Sequence, residues 1–148
     1  MKETRHFIGA KTTKQKMFEA ISLPGELQKW WATTAKGIPE TGETLELYFH
    51  ELTTLKFRYT EMIPSEKLVL TCHDGFGPWQ DTVLTFEIEE KDDQVFLTHI
   101  HDNIIPEDVE ALTYFSSKWT IYLLSLKNLL ENGTGTPFPK EIKLYHGD

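Results

Sequence analysis

Between Pro106 and Gly133 the apolar positions Val109, Leu112, Phe115, Trp119, Tyr122, Leu123, Leu126, Leu129 and Leu130 recur at three- and four-residue steps. That spacing stacks side chains on one face of an α-helix and predicts a single helix of about 25 residues, ~37 Å long. Its ends are marked too. Pro106 suits a first turn, where a missing N–H costs nothing, and Glu107, Asp108 and Glu110 put negative charge beside the positive end of the helix dipole. Lys127 stands near the other end, and Asn132 with Gly133 offers the left-handed conformation that closes a helix. A helix with so broad an apolar face needs an apolar partner of similar breadth.

Upstream the period changes from near four to two. Leu45, Leu47 and Phe49 alternate with polar neighbours, as do Leu55, Phe57 and Tyr59, then Leu68, Leu70 and Cys72, then Leu84, Phe86 and Ile88. These are half-buried antiparallel strands, and Val95 to His101 is the last of them. Thr4 to Ile8 adds a short opening strand. Thr12 and Gln15 form a capping-box pair for a helix bearing Met17, Phe18 and Ile21. After Ser22 and Pro24 a second short helix carries Leu23, Leu27, Trp30 and Trp31 on one side. The run from Thr33 to Gly42 reads as loop. The expected fold is α+β, a six-stranded curved antiparallel sheet wrapped around the long C-terminal helix, with two short helices after the first strand. Residues 1–148 read as one domain, with the tail 133–148 packing on or near the long helix over Ile121 and Leu124.

Composition narrows the functions on offer. Of the 148 residues 39% are hydrophobic and 26% charged, enough for one sizeable core. A formal net charge of -8, with no basic stripe among aromatics, argues against nucleic acid. No apolar run is long enough to span a membrane and no charged-then-apolar leader follows Met1, so a cytoplasmic location is expected. The single cysteine, Cys72, reads as a small buried hydrophobe on a strand.

Four segments resemble the START-like, Bet v 1-like superfamily, and within it the group of homologues of the activator of the heat-shock-protein-90 ATPase. They are LPGELQKWW, FRYTEMIPSEKLVLTCHD, TVLTFEIEEKDDQVFLTHI and WTIYLLSLKNLLENGTG. The resemblance implies the helix-grip fold and a cavity for an apolar or aromatic small molecule between the inner strand faces and the long helix. It does not imply one reaction. The candidate lining is Phe49, Phe57, Tyr59, Leu70, Trp79, Phe86, Phe115, Trp119 and Tyr122. Packed core is the competing reading for each. Trp79 and Phe76 stand apart on the glycine-rich loop HDGFGPWQ, where an aromatic serves either as a lid or as packing against the sheet edge.

Chemistry-bearing groups are sparse. His99 and His101 point to the same side of their strand and would share a divalent metal only with a third ligand such as His73 or Asp102. Their direction depends on register. They face inward if Val95 and Leu97 do, and solvent if Phe96, Thr98 and Ile100 are the inner residues. Asp81, Glu61 and His99 are the only entries for acid–base work, and they belong to no recognisable constellation, so neither catalytic residues nor a cofactor are assigned. Binding of an apolar or aromatic small molecule, lipid or polyketide-like, is the leading expectation. A chaperone cofactor acting on the heat-shock protein 90 ATPase and a cyclase- or hydrolase-type enzyme in the same cavity are the alternatives. Within the long helix, Phe115, Trp119 and Tyr122 are expected at the cavity, with Leu126, Leu129 and Leu130 clamping the core.

Overall fold

The alternating stretches assemble into one seven-stranded antiparallel sheet in the computed structural model, which describes residues 1–148. Along the chain come β1 (Lys2–Ala10), α1 (Lys14–Ser22), α2 (Pro24–Leu27), β2 (Thr34–Gly37), β3 (Thr44–Phe49) and β4 (Thr53–Ile63). They are followed by β5 (Lys67–Asp74), a single 3-10 turn at Gly77–Trp79, β6 (Val83–Lys91), β7 (Gln94–Ile104) and α3 (Val109–Asn132). The spatial order β1-β7-β6-β5-β4-β3-β2 is a meander from β2 to β7 onto which β1 closes. Register shifts in the β4–β5 and β1–β7 ladders bend the strands. No helix is long and apolar enough to cross a membrane.

The α+β helix-grip arrangement is the one expected, with one strand more than six. The extra strand is β2, in the run read as loop. It has only four residues, lies at the sheet edge and is mostly exposed, so it carries no alternation to betray it. Its place is fixed by pairing with β3, where Lys36 lies opposite Glu46 and bonds it at 3.0 Å. At Gly37 a Cβ would come within 2.5 Å of the Thr44 carbonyl oxygen, so glycine is what lets the edge close.

The N-terminal ends of α1 and α3 differ from expectation by one and three residues. Helix α3 starts at Val109, not Pro106, because the Asp108 carboxylate accepts from the Ala111 N–H at 3.0 Å and caps it there. Its far end is closed by Gly133 at φ 83, whose N–H reaches the Leu129 carbonyl, as the sequence suggested. The cap of α1 is Thr13, which accepts from Lys16 N–H, and not Thr12. On α3, Phe115, Trp119, Tyr122, Leu123 and Leu126 are buried, whereas Val109 is exposed and Leu129 and Leu130 are half-buried. The core clamp is therefore Leu126.

Where the sheet curves away from α3, the gap is filled by the corner that follows α2. Trp30 and Trp31 are fully buried there, and Trp30 Nε1 donates to the Ala20 carbonyl at 2.8 Å. Trp31 meets Trp119 at 5.1 Å between ring centroids and lies within 6.4 Å of Phe49, Phe57 and Trp79. The chain after α3 turns back over this corner. Ser125 Oγ donates to the Trp30 carbonyl and accepts from Thr136 N–H, while Phe138 N–H bonds the Trp31 carbonyl. A side chain at Gly135 would come within 2.2 Å of the Lys29 carbonyl oxygen. The tail thus follows Ser125, Tyr122, Lys118 and Tyr114 and leaves Leu124 exposed.

The register of β7 settles the two histidines. Val95, Leu97, His99 and His101 all face inward and are fully buried. Across on β1, His6 pairs with His99 and Thr4 with His101. His101 Nδ1 accepts from Trp119 Nε1 at 3.0 Å, so its proton sits on Nε2, which has no partner. His99 donates from Nδ1 to the Thr85 carbonyl at 3.2 Å and leaves Nε2 unpaired. Burial, with neighbouring His6, lowers His101 to about 3. Burial first, and then His101, holds His99 well below its ordinary value against the opposing pull of the Thr85 carbonyl.

Two outcomes follow for stability. Leu126→Ala, in a site with no exposure, costs about 2 to 5 kcal/mol in urea unfolding, and Leu129→Ala costs less because its side chain is half-buried. Above pH 6.5 the histidines are neutral folded or unfolded; below it the unfolded chain takes up protons that the folded chain refuses, so stability falls with pH. Unfolding free energy measured from about pH 6 to about pH 4.5 declines with a slope approaching 1.4 kcal/mol per pH unit for each buried histidine. His101→Gln, whose amide oxygen can take the Trp119 bond, lowers that slope by about half.

Candidate functional site

With Trp31 and Trp119 in contact, the middle of the sheet–helix interface is solid. The open volume lies instead on the flank of α3. A groove of about 870 Å³ runs between the first half of α3, the β3–β4 turn, the loop around Gly77–Trp79 and the tail beyond Phe138. Helix α3 supplies Ala111, Tyr114, Phe115, Lys118, Trp119 and Tyr122, residues three and four apart that face one side. The turn contributes Leu52 and Thr53, and the loop contributes Phe76, Pro78 and Trp79. A second depression of about 600 Å³ lies between α1 and the Pro39–Thr41 segment, with Phe18, Leu23 and Met62 in its lining and Glu19 and Glu40 as its titratable groups.

Of the expected lining residues, Phe49, Trp79, Phe115, Trp119 and Tyr122 stand on the groove wall. Phe57, Tyr59, Leu70 and Phe86 do not, and all four are fully buried behind it. Phe57 packs on Trp31 and Trp79, and Phe86 stacks on His99 with centroids 4.4 Å apart. The Tyr59 hydroxyl donates to the Ser22 carbonyl at 2.6 Å, and burial raises its pKa. The physical reason is local packing: Trp31 and Trp79 cover Phe57, the end of α1 holds Tyr59 and the His99 ring covers Phe86, so these inner faces are filled core.

The loop aromatics divide. Phe76 is 48% exposed at the groove mouth. Trp79 is wedged between His101 at 4.9 Å and Phe115 at 5.0 Å, so it is a wall rather than a free lid. Gly75 permits this: a Cβ there would lie 2.7 Å from Cys72 Sγ and 3.0 Å from Trp79 Cβ. Cys72 itself is buried and free, and burial pushes its thiol up to about 11, which keeps it protonated and unreactive.

The groove also holds a group of polar residues that the sequence reading did not pick out. Lys118 is buried and its Nζ lies 2.6 Å from both Glu141 Oε2 and Asp148 Oδ2. Tyr122 donates to Glu141 at 3.2 Å, Tyr114 donates to Asp148 at 2.7 Å, and Lys143 bonds Glu141 at 2.8 Å. Burial opposes ionisation of Asp148, yet bonds from Lys118, the Leu144 N–H and Tyr114 outweigh it and hold the carboxyl below its usual range. Burial, and then the nearby carboxylates, raise both tyrosines. One signal was present: Lys118 interrupts the apolar face between Phe115 and Trp119 and sits one turn from each of Tyr114 and Tyr122. Its partners lie up to 30 residues downstream, beyond the reach of any periodicity.

The groups named for catalysis do not converge. Asp81 is exposed in the turn before β6, Glu61 is paired with Lys67 on β4, and His99 lies behind the wall. No three His, Cys, Asp or Glu side chains come together to hold a metal, and His73 and Asp102 are exposed, away from the buried pair. What the groove offers chemically is aromatic surface, the phenols of Tyr114, Tyr122 and Tyr145, the carboxylates of Asp108, Glu110 and Asp148, and one buried cation.

Comparison with known proteins places this geometry. No curated protein matches the sequence. Among solved structures, the chain superposes on the Aha1 dimer protein of Colwellia psychrerythraea with a TM-score of 0.82 and 30% identity, over 91% of this chain and 100% of that one. A protein of Staphylococcus saprophyticus gives 0.77 at 20% identity, over 90% and 95% of the two chains. DynU16, a putative protein in the dynemicin biosynthetic locus, gives 0.77 at 15% identity, over 90% of this chain and 48% of the other. At such identities the last two share the fold alone. Residues 11–131 match the family described as Activator of Hsp90 ATPase homolog 1-like protein. The chain, helix-grip fold and START-like architecture included, belongs to that family.

Proposed function

We propose that the protein binds an apolar or aromatic small molecule, lipid or polyketide-like, in the groove along α3. The observation that carries this reading is the groove itself, about 870 Å³ walled by Phe49, Trp79, Phe115 and Tyr122 and open to solvent past Leu52 and Phe76. A volume of this size falls in the range of small-molecule sites, which are mostly apolar with a few polar groups that orient the ligand. Burying about 300 Å² of apolar ligand surface would contribute on the order of 7 kcal/mol before orientation and ordering costs. Enclosure by preformed walls, without a chemical step, is the mechanism.

A second reading has one observation in its favour, the match to the family of Hsp90 ATPase activator homologues. In it the acidic chain, of net charge -8, docks on heat-shock protein 90 and alters its turnover. The two readings are compatible, since the groove and an outer docking surface need not overlap.

Three of the four tryptophans, Trp31, Trp79 and Trp119, line the groove, so an aromatic ligand entering it quenches intrinsic fluorescence. Screening fatty acids and aromatic polyketides by that signal and by ligand-observed NMR is expected to yield binders. Leu52→Ala and Phe76→Ala, which remove exposed apolar surface at the mouth, weaken binding about three- to tenfold each with little change in melting temperature. Absence of binders in both classes rejects the groove reading. For the second reading, heat-shock protein 90 ATPase turnover rises when the protein is added, and an unchanged rate rejects it.

A further inference from the structure

We propose that Lys118, Tyr114 and Tyr122 form a carboxylate-recognition subsite at the inner end of the groove, and that the tail's Glu141 and Asp148 occupy it in place of a ligand's anionic head. The ligand class that follows is an amphipathic carboxylate, an acid with an aliphatic or aromatic body. This inference rests on the groove-binding reading.

Taking an ammonium out of water costs several kcal/mol, and a hydrophobic residue at the same place would often serve stability as well. Lys118 nonetheless sits 5% exposed in the middle of an apolar helix face. Both of its anionic partners, at 2.6 Å, come from the tail, and none comes from the body of the chain. The Tyr114 hydroxyl donates to one of these carboxylates, Asp148, and the Tyr122 hydroxyl to the other, Glu141. The Lys118 ammonium also lies 5.6 Å from the Tyr122 ring and 6.0 Å from the Tyr114 ring. A cation flanked by two phenol donors on a preformed helix is a complete receptor for one carboxylate.

The way the tail is attached makes it displaceable. As far as Phe138 it is bound to the body through Ser125, Thr33 and the Trp31 carbonyl. Beyond Phe138, its polar ties to the body are those to Lys118, Tyr114 and Tyr122. The remaining bonds of that stretch are internal, such as Lys143 to Glu141 and Leu144 N–H to Asp148. Burial adds little there, because Ile142, Leu144 and Tyr145 are all exposed. The segment is a strap held by charge across one wall of the groove, and an incoming carboxylate competes for the same ammonium. The family match ends at Glu131, so this wall is built from residues outside it.

The test compares matched acids and alcohols, laurate with dodecanol and naphthoate with naphthol, on the full chain by calorimetry and tryptophan fluorescence. The double variant Glu141→Gln, Asp148→Asn frees Lys118 while keeping the shape of the tail. It is expected to bind the acids about tenfold or more tightly than the unaltered chain, with the alcohols changed less than about twofold. Lys118→Met abolishes the preference for acid over alcohol. On the unaltered chain, saturating acid, but not alcohol, loosens the tail and speeds tryptic cleavage after the already exposed Lys140 and Lys143, a readout that needs no variant to fold. A preference for the laurate pair or the naphthoate pair separates an aliphatic from an aromatic body. Acids and alcohols that bind and change in parallel across all variants overturn this inference and leave the groove reading standing. Failure of all four compounds to bind any form removes the groove reading and this inference with it.

Discussion

Trp31 and Trp119 meet at the one place where the corner after α2, helix α3 and the inner face of the sheet converge. A strongly curved sheet cannot touch a straight helix along its whole length, and the mismatch must be filled by side chains or left as a void. Here two indoles fill it, with Phe49, Phe57 and Trp79 around Trp31 and with His99 and His101 beneath Trp119. The His101 ring accepts the indole proton of Trp119, so the contact is directional as well as apolar. Close-packed interiors tolerate neither a shift nor a gap at such a point. The groove's position on the flank of α3 is a consequence of the solid centre.

Much of the fold was legible because its signals are local and periodic. The inner residues of β3 to β6 and the buried Phe115, Trp119, Tyr122, Leu123 and Leu126 of α3 are those that alternation and three-to-four spacing assign. Strand β2 was not legible, since an exposed four-residue edge has no hydrophobic rhythm and exists only through its pairing with Leu45 to Tyr48. The direction of His99 and His101 waited on register, which the neighbouring chain segments decide. The site was harder. Aromatic content found both wall and core without separating them: Phe49, Phe115 and Tyr122 reach the groove, whereas Phe57, Tyr59, Leu70 and Phe86 are fully buried away from it. Contacts made by distant segments, such as Trp31 on Phe57 and His99 on Phe86, distinguish the two sets, and Lys118 acquires its meaning from residues on a tail with no pattern of its own.

The family assignment and the geometry bear on different questions. Membership of the Hsp90 ATPase activator homologue group rests on residues 11–131, which hold β2 to β7 and all but the last residue of α3 but not β1. The groove takes one of its walls from Phe138 and the residues after it. Relatives that share the sheet and helix can therefore present differently closed grooves, and the fold by itself prescribes no ligand. At the inner end of this groove the Lys118 ammonium meets two carboxylates, Asp148 on the wall and Glu141 buried beside it, and Lys143 offsets the second negative charge from the solvent side.

The closure of β1 onto β7 has a bearing on how the chain reaches this state. Ala10 lies opposite Val95 and Lys2 opposite Ile104, while β2 to β7 pair in sequence through short turns. On a ribosome, β1 emerges first and stays without its ladder until nearly the whole sheet has been made. Its side chains Ile8 and Ala10 belong to the core and have no partner during that interval. Contacts of such long sequence separation carry the largest loop-closure entropy and slow the search for the native pairing. The nascent meander must therefore be held open, and kept from pairing with other chains at the unfilled edge of β7, until its first strand returns.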